Sequence, residues 1–509
     1  MTYPPVEQLH SRAKSLAAEF KQGGGASCIE KAIDLDREAL ELCPPGHPKR
    51  SVSLTSLAIL LSDRYSQLGA TRDLDEAIVL DREALNLCPQ GHPDRSASLS
   101  NLAARLWTQY EQIGAMEDLD EAIVLDREAL NLRPQGHPDR SASLSNLADD
   151  LSTRYKQLGV MEDLDEAIVL DREALNLCPQ GHPDRSMSLN NLAVHLWTRY
   201  KQLGAMEDLD EAIVLHREAL KLRPQGHPGR SMSLNNLAVS LSTRYKQLGA
   251  MEDLDEAIFL DREALKLRPQ GHPDRSMSLN NLATHLSSRN EQLGATEDLD
   301  EAIVLNREAL NLRSKGHPSR SMSLNNLAAD LSTRYKQLRA VQDLHEAIVL
   351  DREALNLCPQ GHPDRSMSLN NLAIHISSRY QQLGAMEDLD EAIVLSRDGL
   401  RLRPQGHPHR SGSLENLASY LSNRFTRSKQ LQDKEELFGL YTQLAHKPQI
   451  LLLIFLPPER GSVRPSISSI PPYFSHTKHP FDYSFNIWPF SHHYHNTLLS
   501  SKISLRRSQ

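Results

Sequence analysis

The 509-residue sequence is poor in aromatic residues, because nine Phe, three Trp and thirteen Tyr make up only 5% of it. Several independent, aromatic-rich cores are therefore not expected, although the length would allow three or four domains. Long apolar runs are also missing, since the longest, Ile450 to Leu456, is far shorter than the ~20 residues of a membrane-spanning helix. No basic stretch followed by an apolar one opens the chain, so no secretory signal is expected.

Basic residues are outnumbered by acidic ones, and cysteines are few. Lys and Arg number 57 against 66 Asp and Glu, which gives a formal net charge of −9. Proteins held on nucleic acid by a basic surface have the opposite balance, so we expect no nucleic-acid partner. Because no apolar run is long enough to span a membrane, we also expect no membrane partner. Five cysteines, an odd number, favour a reducing compartment over a disulfide framework. We therefore expect a cytoplasmic location.

A 45-residue repeat organises most of the chain. The segment Asp-Leu-Asp-Glu-Ala-Ile begins at Asp73 and returns five times at intervals of 45 residues, and Gly-His-Pro recurs in the same register from Gly46 to Gly406. This register predicts one array in place of several domains. We expect a degenerate N-terminal capping helix region over residues 1–27, the array over 28–447 and a tail over 448–509.

Each unit of the repeat predicts two helices. Between Ser96 and Gly114 the apolar residues follow the spacing of one helical face, and Gly114 supplies a C-terminal stop. The second helix runs from about Asp118 to Leu132 and ends before Pro134. Such a pair cannot bury its apolar stripe alone and must stack on its neighbours. The predicted fold is an all-α solenoid of about ten helix pairs.

The repeat resembles the tetratricopeptide repeat (TPR). The residues that carry the resemblance are Asn101-Leu102-Ala103, Asp120-Glu121-Ala122, Arg127-Glu128-Ala129-Leu130 and Pro134. The unit length and the opening His92-Pro93-Asp94 most resemble repeats of the kinesin light chain type. The resemblance implies a right-handed superhelix that binds proteins. Similar arrays occur in fungal and bacterial proteins, sometimes ahead of a caspase-like CHAT peptidase domain.

The resemblance also implies where a ligand binds. In tetratricopeptide arrays the first helices line the concave surface, and an Asn on them often bonds the backbone of a bound peptide. The matching residues recur every 45 positions: Asn101, Asn146, Asn191, Asn236, Asn281, Asn326, Asn371 and Asn416. An amide both donates and accepts hydrogen bonds, so a peptide contact and a bridge between neighbouring first helices are both open interpretations.

A few first-helix positions differ between repeats while their neighbours hardly change. The fourth residue after each Asn is Arg105 in one repeat and His195 in another. The residues of this column either confer selectivity for a ligand or vary because substitutions are tolerated on an exposed face. Trp107 and Trp197 replace Ser at another first-helix position and are candidate aromatic anchors.

No catalytic or cofactor-binding motif emerges, since the sequence has no Gly-rich phosphate loop and no His-Glu-x-x-His. The His residues of the nine Gly-His-Pro motifs lie one repeat apart, too far for one metal ion, so we expect them to stabilise turns. We expect Arg95 and its counterparts to pair with the acidic opening of the second helices. The sequence therefore predicts no enzyme, no cofactor and no metal site.

The repeat pattern stops near Pro448, and the Pro-, Ser- and His-containing tail is expected to be disordered. One hypothesis is that this tail replaces a missing effector domain. The favoured interpretation is a non-catalytic scaffold that holds an extended peptide or partner protein in its concave groove. One alternative is the regulatory array of a CHAT-type peptidase or signalling switch whose effector is absent from this chain, and another is a structural spacer.

Overall fold

The computed structural model describes residues 5–444, apart from residues 22–24, 70, 318, 363, 406 and 408. Within these residues the chain forms 20 helices and no β-strand, which confirms the predicted all-α array of helix pairs. None of the described helices combines the length and apolarity needed to cross a membrane. The tail predicted over 448–509 lies outside the described residues, and the limits of the capping region and of the array stay predictions.

The helices alternate between a longer first helix and a shorter second helix in each pair. The first helices are α1 (Val6–Lys21), α3 (Arg50–Leu68), α5 (Arg95–Ile113), α7 (Arg140–Leu158), α9 (Arg185–Leu203), α11 (Arg230–Leu248), α13 (Arg275–Leu293), α15 (Arg320–Leu338), α17 (Arg365–Leu383) and α19 (Arg410–Ser428). The second helices are α2 (Ala26–Glu41), α4 (Thr71–Asn86), α6 (Met116–Asn131), α8 (Met161–Asn176), α10 (Met206–Lys221), α12 (Met251–Lys266), α14 (Thr296–Leu312), α16 (Val341–Leu357), α18 (Met386–Arg401) and α20 (Leu431–Leu444).

Glycine ends most of the first helices, as the sequence predicts. Gly114 follows α5 in the left-handed conformation with φ 73°, and its amide donates to the carbonyl of Tyr110 at 2.7 Å. Glycine adopts this backbone without steric cost because it has no Cβ. Arg339 and Lys429 occupy the same place after α15 and α19, both with φ 58°. These two ends carry a strain that the glycine ends avoid.

The core is built from Leu and Ala, which explains how the array folds with few aromatic residues. Leu102 and Leu106 on α5 are 1% exposed, and Ala122 and Ala129 on α6 are fully buried. Small residues let the two helix backbones approach, and the Leu side chains fill the remaining space. Burial of one such Leu stabilises the fold by about 1.5–3 kcal/mol.

The chain divides into two compact units, and the division falls inside α11 between Asn236 and Leu237. Unit 1 contains α1 to α10 and unit 2 contains α12 to α20. Within each unit the apolar clusters run through successive helix pairs, as stacked repeats require. In unit 2, one cluster includes Leu344, Leu372, Leu389, Leu414 and Leu437, from five consecutive helices.

Candidate binding surface

The Asn residues predicted to bind a ligand all lie on first helices, and their burial changes along the chain. Asn101, Asn146 and Asn416 are half-buried. The other five have at most 1% of their surface exposed: Asn191, Asn236, Asn281, Asn326 and Asn371. A peptide reaches these five only where neighbouring helices move apart. Their role in binding stays a prediction.

Some of the amides bridge neighbouring first helices. In unit 1, Asn236 Nδ2 donates to Asn190 Oδ1 at 3.0 Å. In unit 2, Asn416 Nδ2 donates to Asn370 Oδ1 at 3.4 Å. At these positions the amide therefore contributes to the stacking of the repeats.

Other amides of unit 2 have buried atoms without a hydrogen-bond partner among the described residues. These atoms are Nδ2 of Asn281 and both amide atoms of Asn326 and of Asn371. A buried polar group that lacks a partner costs about 1–3 kcal/mol. A bound peptide whose backbone supplied the missing partners would therefore gain more binding free energy here than at the bridged positions.

The two candidate aromatic anchors differ in exposure. Trp107 is 4% exposed and packs in the core of unit 1 with Leu106 and Tyr110. Trp197 is half-buried, and Lys201 Nζ lies 5.8 Å from its ring centroid, within the range of a cation–π contact. Trp197 is therefore the more accessible of the two to a partner.

The variable column on the first helices is buried, so its interpretation as drift on an exposed face is wrong. Arg105 is 2% exposed and its Nε lies 3.7 Å from the carboxylate of Asp81 on α4. His195 is fully buried, with Nδ1 2.7 Å from Asp171 Oδ2 on α8. Each pair joins a second helix to the first helix that follows it. The residues of each pair are 24 positions apart in the sequence. A comparison of the residue types at these two positions from repeat to repeat would have revealed the pairs.

Burial shapes the ionisation of these pairs. It raises the pKa of Asp81 to about 7, although the charge of Arg105 acts in the opposite direction. Burial also raises the pKa of Asp171, although His195 acts in the opposite direction. The same holds for Asp261 on α12, whose Oδ2 lies 2.7 Å from Nδ1 of His285: burial raises its pKa and His285 lowers it. The carboxyl groups are therefore held by their partners in an environment that disfavours an isolated charge.

The His residues of Gly-His-Pro form turns. In each motif Nδ1 accepts a hydrogen bond from the backbone amide two residues later, at 3.2 Å from Asp94 to His92 and at 3.0 Å from Gly229 to His227. This geometry confirms the predicted structural role. Gly406 of the last motif lies outside the described residues.

The predicted partner of the Arg column is wrong. Arg95 Nε donates to Glu128 Oε1 at 2.7 Å, and Glu128 lies near the end of α6 and not at its acidic opening. The acidic openings are paired by Arg residues late in the first helices, as Arg154 and Asp163 show with two hydrogen bonds. The helix stacking places the start of each first helix beside the end of the following second helix, which the repeat alone does not reveal.

Comparison with known proteins agrees with this architecture. The sequence model described as "Tetratricopeptide repeat" matches residues 95–139, 185–229, 275–319 and 320–364. No curated protein matches the chain. A solved structure of IFIT1, a monomeric mutant with Gppp-AAAA, has a TM-score of 0.50 at 15% identity and covers 86% of this chain and 87% of its own.

Two solved structures of kinesin-light-chain type are also similar. The TPR-like repeats of a Podosopora anserina kinesin light chain show 22% identity and a TM-score of 0.33, covering 44% of this chain and all of their own. BtubC (BKLC) from P. vanneervenii shows 20% identity and a TM-score of 0.32, with 52% and 92% covered. The link to CHAT peptidase proteins stays a prediction.

The expectation of no nucleic-acid partner has to be corrected. It rested on a net charge of −9, yet the structure of IFIT1, which has a similar fold, contains Gppp-AAAA. A net charge sums over the whole chain and does not report the local charge of one surface. Here many charges cancel locally, as in the bridges Arg82–Glu121 at 2.6 Å and Arg172–Glu211 at 2.7 Å. Net charge therefore excludes no class of partner.

Proposed function

We propose that this chain, a tetratricopeptide-repeat protein, is a non-catalytic scaffold that holds an extended peptide segment of a partner protein along its first helices. The repeat fold suits a protein-binding role. The matched family is a helical repeat and not a catalytic domain, which supports the non-catalytic part of the proposal.

The observation that carries the proposal is the set of buried amide atoms without partners in unit 2. Asn326 and Asn371 each leave one donor and one acceptor unpaired among the described residues. An extended peptide offers one N–H and one C=O at each residue, which matches both needs. Neighbouring first helices are about 10 Å apart, which is about the length of three extended residues. The Asn ladder would therefore contact the peptide at intervals of a few residues.

Burial of the ladder sets a condition for binding. Asn326 is 1% exposed and Asn371 is fully buried, so the peptide enters only if the first helices around them separate. The unpaired amides make this separation less costly, because each one already lowers the stability of the closed state. Binding then supplies hydrogen bonds that the closed state does not make.

Selectivity would come from side chains beside the ladder. Among the predicted anchors Trp197 is the better placed, because part of its ring is accessible. Trp107 would contribute only after local opening of the core around it. A backbone-directed ladder holds many sequences, and an aromatic contact of this kind restricts which of them bind tightly.

The test is an affinity measurement with a ladder variant. Partners are captured from the source cells, the bound segment is mapped by crosslinking and mass spectrometry, and its affinity as a labelled peptide is measured by fluorescence anisotropy. Asn281, Asn326 and Asn371 are then changed together to Ala. If each contributes about 1 kcal/mol of hydrogen bonding, the affinity falls by about 100-fold.

The matched control changes Val304, Val349 and Val394 to Ala. These residues recur at the same 45-residue spacing on second helices and are 54–64% exposed. The control should bind the peptide as tightly as the wild type. Equal affinity of the Asn variant and the wild type would contradict the proposed groove contact.

A further inference from the structure

The buried pairs at the repeat junctions show an alternation that the 45-residue period does not contain. A junction pair is defined here as a second-helix residue and the first-helix residue 24 positions later. Along the chain the positions are Asp36/Leu60, Asp81/Arg105, Asp126/Asp150, Asp171/His195, His216/Ser240, Asp261/His285, Asn306/Asp330, Asp351/His375 and Ser396/Tyr420. Every second pair sets an Asp against a basic residue, and the pairs between them do not. The pairing of an Asp with a basic residue therefore recurs every 90 residues.

Several of the pairs that lie within one unit are in direct contact. In unit 2, His285 Nδ1 lies 2.7 Å from Asp261 Oδ2, and His375 Nδ1 bonds Asp351 Oδ2. Between them, Asn306 Nδ2 donates to Asp330 Oδ2 at 2.7 Å. All of these residues are at most 1% exposed. These three junctions are therefore closed by polar contacts that depend on which two residues meet.

A second column follows the same alternation. Seven residues after the second-helix member, the junctions with a basic partner have Cys88, Cys178 and Cys358, although Arg268 is an exception. The other junctions have Arg there, namely Arg133, Arg223, Arg313 and Arg403, except that the first junction, Asp36/Leu60, has Cys43. These Arg side chains are buried, and Arg313 donates to Ser276 Oγ, the Ser319 carbonyl and Ser323 Oγ. Apart from the junctions of Asp36 and Asp261, the place of the buried basic group thus switches from one junction to the next.

The apolar contacts cannot distinguish the repeats, because they are the same in each. Leu282, Leu327 and Leu372 occupy one buried column, and the Ala residues that follow them occupy another. Repeats that share all of these contacts are free to stack in more than one order. Buried polar pairs are well suited to fixing a register, since a wrong partner leaves a polar group unpaired.

We propose that the junction pairs of Asp with a basic residue disfavour stacking that is shifted by one repeat, because each such Asp then meets a residue that is not basic. A shift by one repeat sets Asp261 against Asp330. A shift by two repeats sets Asp261 against His375 and restores the matched pair. At these junctions the alternation therefore disfavours the shortest misregistration, which the shared apolar contacts permit.

The test uses one substitution in two backgrounds of the full chain. Deletion of residues 262–306 removes one repeat without a break in the helical register and makes Asp330 the junction partner of Asp261. Asp330→His is placed in this deletion variant and in the undeleted chain. We expect it to raise the urea midpoint of the deletion variant, because it recreates an Asp–His pair. We expect it to lower the midpoint of the undeleted chain, because there it replaces the acceptor of Asn306 and of Ser287.

A second comparison removes residues 262–351, two whole repeats, so that Asp261 meets His375. This shorter chain should have a higher urea midpoint than the unrepaired one-repeat deletion. If the one-repeat deletion does not fold, Asp330→His should restore its helical circular dichroism signal. The proposal would be overturned if Asp330→His changed the urea midpoint in the same direction in both backgrounds. It would also be overturned if Asp330→His neither raised the midpoint of the one-repeat deletion nor restored its folding.

Discussion

The acidic junction between α6 and α7 gives a pH dependence opposite to that of an ordinary ion pair. Asp126 and Asp150 are both buried at this junction, with 0% and 1% exposure. Burial raises the pKa of Asp150 well above its usual value, against the effect of a hydrogen bond with Asp126. The neighbouring Asp149 is also buried, and burial together with the charges of Asp171 and Asp150 raises its pKa. Asp150→Asn should therefore reduce the pH dependence of stability.

The sign follows from the proton each state holds. Above pH 4 the unfolded chain loses the proton of Asp150, while the folded chain keeps it up to a higher pH. The contribution of Asp150 to stability is therefore most favourable at low pH and decreases as the pH rises toward its folded pKa. The loss is about 1.4 kcal/mol for each pH unit over which the two states differ by one proton. An Asn at this position keeps an amide for hydrogen bonding and has no proton to lose.

The assay is urea unfolding followed by circular dichroism at pH 5, 6 and 7. The stability of the variant relative to the wild type should rise with pH, by at most about 1.4 kcal/mol per pH unit. Asp75→Asn serves as the control, because Asp75 is exposed on α4, and it should leave the pH dependence unchanged. Identical pH dependence of the Asp150→Asn variant and the wild type would refute the reasoning.

Four further substitutions test the packing and the helix ends, each through its urea midpoint. Gly399→Ala should raise the free energy of unfolding by about 1 kcal/mol, because Ala favours a helix more than Gly does. The added Cβ would lie at an ordinary 3.6 Å from Leu369 Cβ, and a loss of stability would contradict this prediction. Gly114→Ala should cost about 1 kcal/mol for its left-handed backbone alone, as nothing lies within 4 Å. Leu286→Ala, at a fully buried position, should cost about 2–5 kcal/mol. Arg154→Ala should cost no more than about 1 kcal/mol, since its ion pairs are partly exposed; a larger loss would indicate a buried role.

The helices could be predicted closely from the sequence, because their signals are local. The second helix expected from about Asp118 to Leu132 is α6, Met116–Asn131. The glycine stop at Gly114 and the Ala and Leu columns were also predictable, since a helical period and a C-terminal glycine have direct structural consequences. These features determine the fold of each repeat.

The burial of the variable column could not be predicted in the same way. Arg105 and His195 are residues that usually lie on the surface, and only their partners on the preceding second helix explain why they are buried. This polar contact becomes visible only when the column of Asp81 and Asp171 is compared with the column of Arg105 and His195.

The candidate Asn ladder was located by resemblance, and the structure adds a distinction between its members. Asn236 bonds Asn190, whereas Asn326 and Asn371 keep buried amide atoms without partners among the described residues. A sequence column cannot show this difference, because the residues are the same and their neighbours decide which bonds form.

The most direct test of the proposed function measures binding and stability on the same variant. The double variant Asn326→Ala, Asn371→Ala is compared with the wild type in peptide affinity and in urea midpoint, and Asn236→Ala is measured beside it. We predict weaker peptide binding by the double variant with an unchanged or higher midpoint, because it loses no internal hydrogen bond, and a lower midpoint for Asn236→Ala. A lower midpoint of the double variant with unchanged affinity would contradict the account, because the amides would then serve the fold and not a ligand.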